Sequence, residues 1–399
     1  MSLALLQNKL NVTQKRRSNL FNWRGQFTPD FVDYLLHHFT KQGDLVVDPF
    51  SGSGTVLQEA SSRNLRATGF EINPSAYAMS KFFTFSNLDL DERQKLIKSL
   101  GDKLGPTLET FNGEKVFIEH QDYRLAYSSL LNVGIKLLPN LSKAERILLL
   151  NILFLSERDK KMLVRQSVQK SFNYVADAML KLPHSEYQID ANLCDARQVG
   201  SKLDECVDLI LTSPPYINVF NYHQNYRALV EIFDFDILKV ANSEFGSNRK
   251  NRGNRFRTVV QYCLDMEEAI SSFWSALKPD SYLIIVLGKQ SNVRNVAFYN
   301  GQLIMDILAE NGGFSKTDIL YREFVNKFGI NIKEDILIYQ KVNQKPHVNS
   351  ARSVAKRHLE TNLSTVDGEI LNDLSDAIRN IETIEPSPMF NFKTISKNA

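Results

Sequence analysis

The sequence predicts an α/β fold built on a mainly parallel sheet and interrupted by a block of helices. Three observations predict it. Short apolar runs of strand length alternate with helical patterns over residues 26–80 and again over 188–341. A Gly-rich turn, Ser51–Gly54, joins the first apolar run to a helix. Between the two alternating stretches, residues 82–186 show long helical periodicity and few strand signals.

The elements follow in order. A helix near Pro29–Phe39 comes first, with proline suited to the first helical position. Asp44–Pro49 is a short buried strand, Thr55–Arg63 a helix and Arg66–Glu71 a second strand, which together make a βαβ unit. Helical patterns such as SKAERILLLNILFLSERDKK fill the next block. Strands resume at Gln188–Cys194, Val207–Thr212 and Ser281–Leu287. Lys316–Val325 and Asp335–Gln340 are expected to pair as a hairpin across Asn326–Lys333. Beyond about residue 345 the chain turns polar, which predicts a loose tail with one amphipathic helix around Ile370–Asn380. The expected division is therefore 1–81 and 187–343 as two parts of one core, 82–186 as a helical insertion and 344–399 as a polar tail.

Bulk properties bound the function. A chain of 399 residues, 43% hydrophobic, suits one large domain with insertions or two domains. Its apolar runs are strand-sized or broken by charge, and the N-terminus turns polar before a signal peptide could form, so a cytoplasmic protein with no membrane contact is expected. Cys194, Cys206 and Cys263 form no CxxC pair and no cluster with histidine, so neither a disulfide framework nor a metal site is expected. The net charge of +3 is too small to imply nucleic acid; the placement of the charge matters more.

The first motif is Asp48-Pro49-Phe50-Ser51-Gly52-Ser53-Gly54-Thr55, between a strand end and a helix. Glycines there allow close backbone approach to a ligand, at the strand ends where such folds bind. No third glycine of a dinucleotide fingerprint follows, and no Gly-Lys-Ser/Thr of a phosphate loop. An acid at Asp48 suits an ammonium better than a phosphate, and Glu71 ends the next strand where a carboxylate can accept two ribose hydroxyls. An amino acid and a ribose in one site describe S-adenosylmethionine. Asp48–Thr55 resembles the DPFxGSGT cofactor motif of amino-methylating DNA methyltransferases, and Gly69–Pro74 (GFEINP) is similar to their ribose-binding motif. The resemblance implies cofactor contacts from Asp48, Pro49, Phe50, Gly52, Gly54, Thr55 and Glu71.

The second motif is VDLILTSPPY, Val207–Tyr216, a buried strand running into Ser213-Pro214-Pro215-Tyr216. Two prolines fix φ and remove two donors, leaving rigidly aimed carbonyls. Such a loop suits an NH2 group that must be drawn toward tetrahedral geometry by acceptors on its hydrogens. Ser213 adds an acceptor, and Tyr216 a flat face for a base. TSPPY resembles the catalytic motif of the same family, and its serine form is similar to the cytosine-N4 branch. None of the cysteines follows a proline, as a C5-methylating nucleophile would. Adenine-N6 methylation, guanine-N2 methylation of RNA by a related Pro-Pro-Tyr loop and a non-catalytic DNA-binding module are the alternatives.

Two further residues keep two readings. Asp195 resembles the family's acid that meets the cofactor's adenine amino group, and equally suits a helix N-cap. Thr28, in Gly25–Pro29, resembles the segment that closes over the methionine end, and equally reads as an N-cap.

Candidate DNA contacts lie after the catalytic loop. Arg249, Lys250, Arg252, Arg255 and Arg257 sit in a polar stretch that can grip phosphates, or is simply solvated. Asn218 and Tyr222 fall where the resemblance places the target base; the aromatic residues there also suit a helix core.

The resemblance as a whole implies a Rossmann-like, seven-stranded S-adenosylmethionine methyltransferase core. It implies methyl transfer to cytosine N4 in double-stranded DNA with the base flipped out. A cognate restriction endonuclease acting separately is the partner it suggests, while the oligomeric state stays open. The insertion is a candidate for target recognition, a structural cap or a dimer surface.

Overall fold

The computed structural model describes residues 5–217, 222–247, 251, 253–325 and 329–391. Its strands, in chain order, are β1 (Leu45–Asp48), β2 (Arg66–Glu71), β3 (Ile189–Leu193), β4 (Val207–Thr212), β5 (Leu277–Gly288), β6 (Gln290–Val293), β7 (Val296–Tyr299), β8 (Phe314–Val325) and β9 (Asn331–Lys341). Seven form one sheet in the order β3-β2-β1-β4-β5-β9-β8, and β6 pairs with β7 apart from it. Strands β1 to β5 are parallel; β9 lies antiparallel between β5 and β8. The fold is the Rossmann-like α/β architecture expected. Chain order reverses between β1 and β4, which opens a crevice at their carboxyl ends.

Alternate residues of the buried strands serve opposite faces, as period-two geometry requires. Val46, Leu209, Ile284 and Ile336 join one core cluster, while Val47, Ile210, Ile285 and Leu337 join the other. The first cluster is completed by the helical block. Its helices include Leu90–Leu108, Ser128–Leu137, Lys143–Glu157 and Val164–Leu180. Capping boxes at Asp89/Glu92 and Ser142/Glu145 start the first and third of these. Leu130, Leu149, Leu153 and Val168 sit in the same cluster as Ala78 and Val46, and Asn151 donates to the Ala78 carbonyl at 2.8 Å.

The expectation of a loose tail is corrected. Ala351–Glu360 and Gly368–Arg379 are helices docked on the second core. Ala351, Val354, Ala355 and Leu359 form a buried stripe at helical spacing, with Leu374, Ala377 and Ile381 beside it. Average polarity concealed this narrow apolar face. The β8–β9 hairpin forms as expected, with both strands longer, and β6–β7 is a small hairpin the sequence reading missed.

Candidate active site

The carboxyl ends of β1, β2 and β4 and the stretch after β3 converge on one cleft of about 1050 Å³, counted out to its open mouth. From β1 come Asp48, Pro49 and Phe50, then Ser51, Gly52, Ser53 and Thr55 of the turn. Gly54 stands behind this wall. Its φ is 86°, and a Cβ there would lie 2.7 Å from Ser80 Cα, so glycine is required for the turn to pack on the neighbouring helix.

Asp48 is 3% exposed. Its Oδ1 accepts from the Thr212 hydroxyl at 2.6 Å and the Phe50 N–H at 3.1 Å, and among the described residues no hydrogen bond engages Oδ2. Glu71 accepts from the Asn73 N–H (2.8 Å, Oε1) and the Gly52 N–H (2.9 Å, Oε2), which leaves one lone pair on each oxygen. Burial pushes both carboxyls up to about 7 against these hydrogen bonds, and the negative neighbours Asp48 and Glu244 add to the effect on Glu71. Ser51 Oγ and Asn73 Nδ2, in the same wall, are buried without a hydrogen-bond partner among the described residues. Open carboxylate oxygens beside unmatched polar groups fit a ligand that carries a positive charge and hydroxyls. S-adenosylmethionine fits this donor set.

Ser213, Pro214, Pro215 and Tyr216 line the same cleft. The Tyr216 hydroxyl donates to Glu334 Oε1 at 3.5 Å, since a carboxylate can only accept. Glu334 is held in turn by Arg322, both of whose bonds measure 2.6 Å, and the Arg322 guanidinium lies over the Phe31 ring at 3.9 Å. Burial, with Glu334 adding, raises the Tyr216 pKa, so it stays a neutral phenol.

Several expected contacts are revised. Thr28 does not line the cleft and its side chain caps nothing; Gln26 and Phe27 take that place. Asp195 borders the cleft, but its carboxylate is saturated. Oδ1 accepts from the Arg197 N–H and Nε, and Oδ2 from Arg197 Nη2 and the Phe390 N–H. Four acceptor sites are filled, so none is left for an adenine amino group. Tyr222 lines the cleft, its ring stacked on Trp23 at 5.8 Å. Arg257 pairs with Asp376 at 2.8 Å, whereas Arg255 is exposed. Asn218, Arg249, Lys250 and Arg252 lie outside the described residues.

Sequence reasoning missed Trp23, Arg24, Glu244 and Phe245, which also line the cleft. Phe245 meets the edge of Phe50 with centroids 5.3 Å apart, and Glu244 pairs with the buried His223 at 2.7 Å. Only their closeness in space marks them; no local pattern does. None of the three cysteines lines the cleft, and no metal-binding group of His, Cys, Asp or Glu occurs among the described residues. No helix among them is long and apolar enough to cross a membrane.

Residues 6–82 match the N6_N4_Mtase family, described as DNA methylase. The type II methyltransferase M.MjaII of Methanocaldococcus jannaschii is 31% identical over 102 residues, 25% of this chain and 18% of the relative. M.XycI of Xanthomonas campestris pv. cyanopsidis, also a type II methyltransferase, is 42% identical over 48 residues, 12% of this chain and 16% of the relative. The matched region thus spans less than a fifth of either relative. Among solved structures, an S-adenosylmethionine-dependent methyltransferase of Methanosarcina mazei aligns at TM-score 0.36 and 11% identity, over 78% of this chain and 98% of that one. An rRNA methylase of Streptococcus thermophilus aligns at TM-score 0.32 and 8% identity, over 80% and 98%.

Proposed function

We propose that this chain, whose residues 6–82 match the N6_N4_Mtase family described as DNA methylase, is a transferase that methylates the exocyclic N4 amino group of cytosine in double-stranded DNA. The observation that carries this reading is the meeting of two motifs in one cleft: Asp48 and Glu71 line it together with the Ser213–Tyr216 loop. S-adenosylmethionine supplies an electrophilic methyl group when bound. Asp48 Oδ2 would hold its ammonium, and the open lone pairs of Glu71 would hold its ribose hydroxyls.

An exocyclic amine is a weak nucleophile because its lone pair is delocalised into the ring. The Ser213 hydroxyl oxygen accepts one amine hydrogen, and the proline-fixed carbonyls accept the other. The nitrogen then approaches tetrahedral geometry with its lone pair free. As the nitrogen–methyl bond forms, the methyl–sulfur bond would break with its electron pair kept by sulfur, leaving S-adenosylhomocysteine, and the methylated nitrogen would lose one hydrogen as a proton to solvent. Positioning and charge placement carry the catalysis, and no residue forms a covalent intermediate. The absence of cysteine from the cleft wall supports an amine target over ring carbon C5. The serine of the TSPPY loop favours cytosine over adenine.

The test is nucleoside analysis of DNA and RNA from cells expressing the chain. N4-methylcytosine is expected in the DNA. N6-methyladenine alone would overturn the base, 5-methylcytosine the mechanism, and N2-methylguanine confined to RNA the substrate. The proposed biological setting is restriction–modification, with a cognate endonuclease acting separately.

A further inference from the structure

Asp195 leaves β3 at the cleft edge with no solvent exposure. Arg197 grips it with a two-pronged bond, Nε to Oδ1 at 2.9 Å and Nη2 to Oδ2 at 2.7 Å. The same guanidinium donates to the carbonyls of Ser387 at 2.7 Å and Pro388 at 3.1 Å. It also lies over the Phe245 ring, 5.1 Å from its centre. Ser387 returns both its N–H and its hydroxyl to Asp265, each at 2.7 Å. The Phe390 N–H closes on Asp195 Oδ2 at 3.0 Å. The side chains of Arg197, Asp195 and Asp265 are at most 1% exposed.

Charges this deep are stable only when fully paired, and the C-terminal segment supplies much of the pairing. Ser387 and Phe390 are themselves buried and do not line the cleft. Their contact with it runs through Arg197 to Phe245 and through Asp195 to Ala196, and both Phe245 and Ala196 line the cleft. We infer that residues 385–391 are a strap whose closure on Arg197 and Asp195 sets the wall against which the nucleoside half of the cofactor lies, so that strap and cofactor stabilise each other. Arg197, Ser387 and Phe390 act as positioning residues. The inference rests on reading the cleft as the S-adenosylmethionine site.

Linkage supplies the test, because a segment that raises affinity is stabilised by the ligand to the same degree. In the wild-type full chain, saturating S-adenosylmethionine should slow hydrogen exchange of the Ser387 and Phe390 amides about tenfold, the worth of one or two hydrogen bonds to charged groups. A full-length S387A/F390A double variant loses the Ser387 hydroxyl bond to Asp265 and the buried Phe390 ring, so its strap should exchange faster than the wild type's. It should lose about tenfold in affinity for S-adenosylmethionine and equally for 5′-methylthioadenosine, which has only the nucleoside half. Unchanged strap exchange while calorimetry shows the cofactor bound overturns the proposal, as does a released strap with undiminished affinity. If the double variant does not fold, the wild-type exchange decides. A wild-type chain that binds neither ligand overturns the cofactor reading, and the strap proposal falls with it.

Discussion

At the scale of single residues, the cofactor cleft is governed by two acids that prefer to be neutral. Burial holds Asp48 and Glu71 protonated up to about pH 7, whereas in an unfolded chain such groups ionise near pH 4. The folded, ligand-free chain therefore binds more protons between those values. The stability these two groups confer is complete below about pH 4 and is lost as pH rises through about 7. A cation in the cleft reverses the preference, since it favours the ionised forms. Affinity for S-adenosylmethionine should rise between about pH 6 and about pH 8, by up to about tenfold per pH unit for each acid still protonated. Calorimetry over that range checks it, and Glu71→Gln should remove part of the slope. A flat profile in the wild type would show that neither acid meets the cofactor's charge. The positions of both acids were legible in the sequence, because each ends an apolar run beside a glycine or proline turn. The saturation of Asp195 was not, because Phe390 reaches it from the far end of the chain.

At the scale of elements, sheet register seats the catalytic loop. Gly288 of β5 pairs with Glu334 of β9, and Glu334 pairs with Arg322 of β8, so the three form one row across the sheet. The Tyr216 ring lies on the glycine, where a Cβ would sit 2.6 Å from Cε2. Backbone at that position cannot yield, so Gly288→Ala should push the ring and its bond to Glu334 out of place. Methyl transfer should fall about tenfold or more, because small misplacements at a reacting centre are costly. Cofactor affinity should hold, since Asp48 and Glu71 stand on other strands. Equal losses in binding and turnover would instead point to a general loosening of the sheet. The strands of this row were read from short apolar runs and an expected hairpin, with ends off by a few positions. Their register was not, because an apolar run marks a strand and not the partner opposite each residue.

At the scale of the whole molecule, the helical block and the C-terminal helices close the two faces of the sheet. Residues 82–186 exceed by far the roughly ten to fifteen residues that joining adjacent parallel strands requires, which marked them as an insertion. Their helical periodicity was legible; the surface they cover was not. In the structure they meet the segment after the catalytic loop as well as the core. Phe154 packs on Tyr226 with centroids 4.6 Å apart, Arg124 pairs with Glu231, and Ile232 lies where a Cβ on Gly134 would be. Because Leu149 and Leu153 share one apolar cluster with Val46 of β1, the block and the sheet should unfold together. Leu149 is fully buried, so Leu149→Ala should cost about 2–5 kcal/mol through lost burial and a residual cavity. Denaturant titration followed by fluorescence and circular dichroism should show one shifted transition by both probes. S-adenosylmethionine should move that transition to higher denaturant, because binding stabilises every part that unfolds with the cleft. A block that melts separately, at a midpoint indifferent to the cofactor, would mean an independent appendage. In that case target recognition by a detachable module becomes the better account of residues 82–186, and the shared core a packing contact without energetic weight.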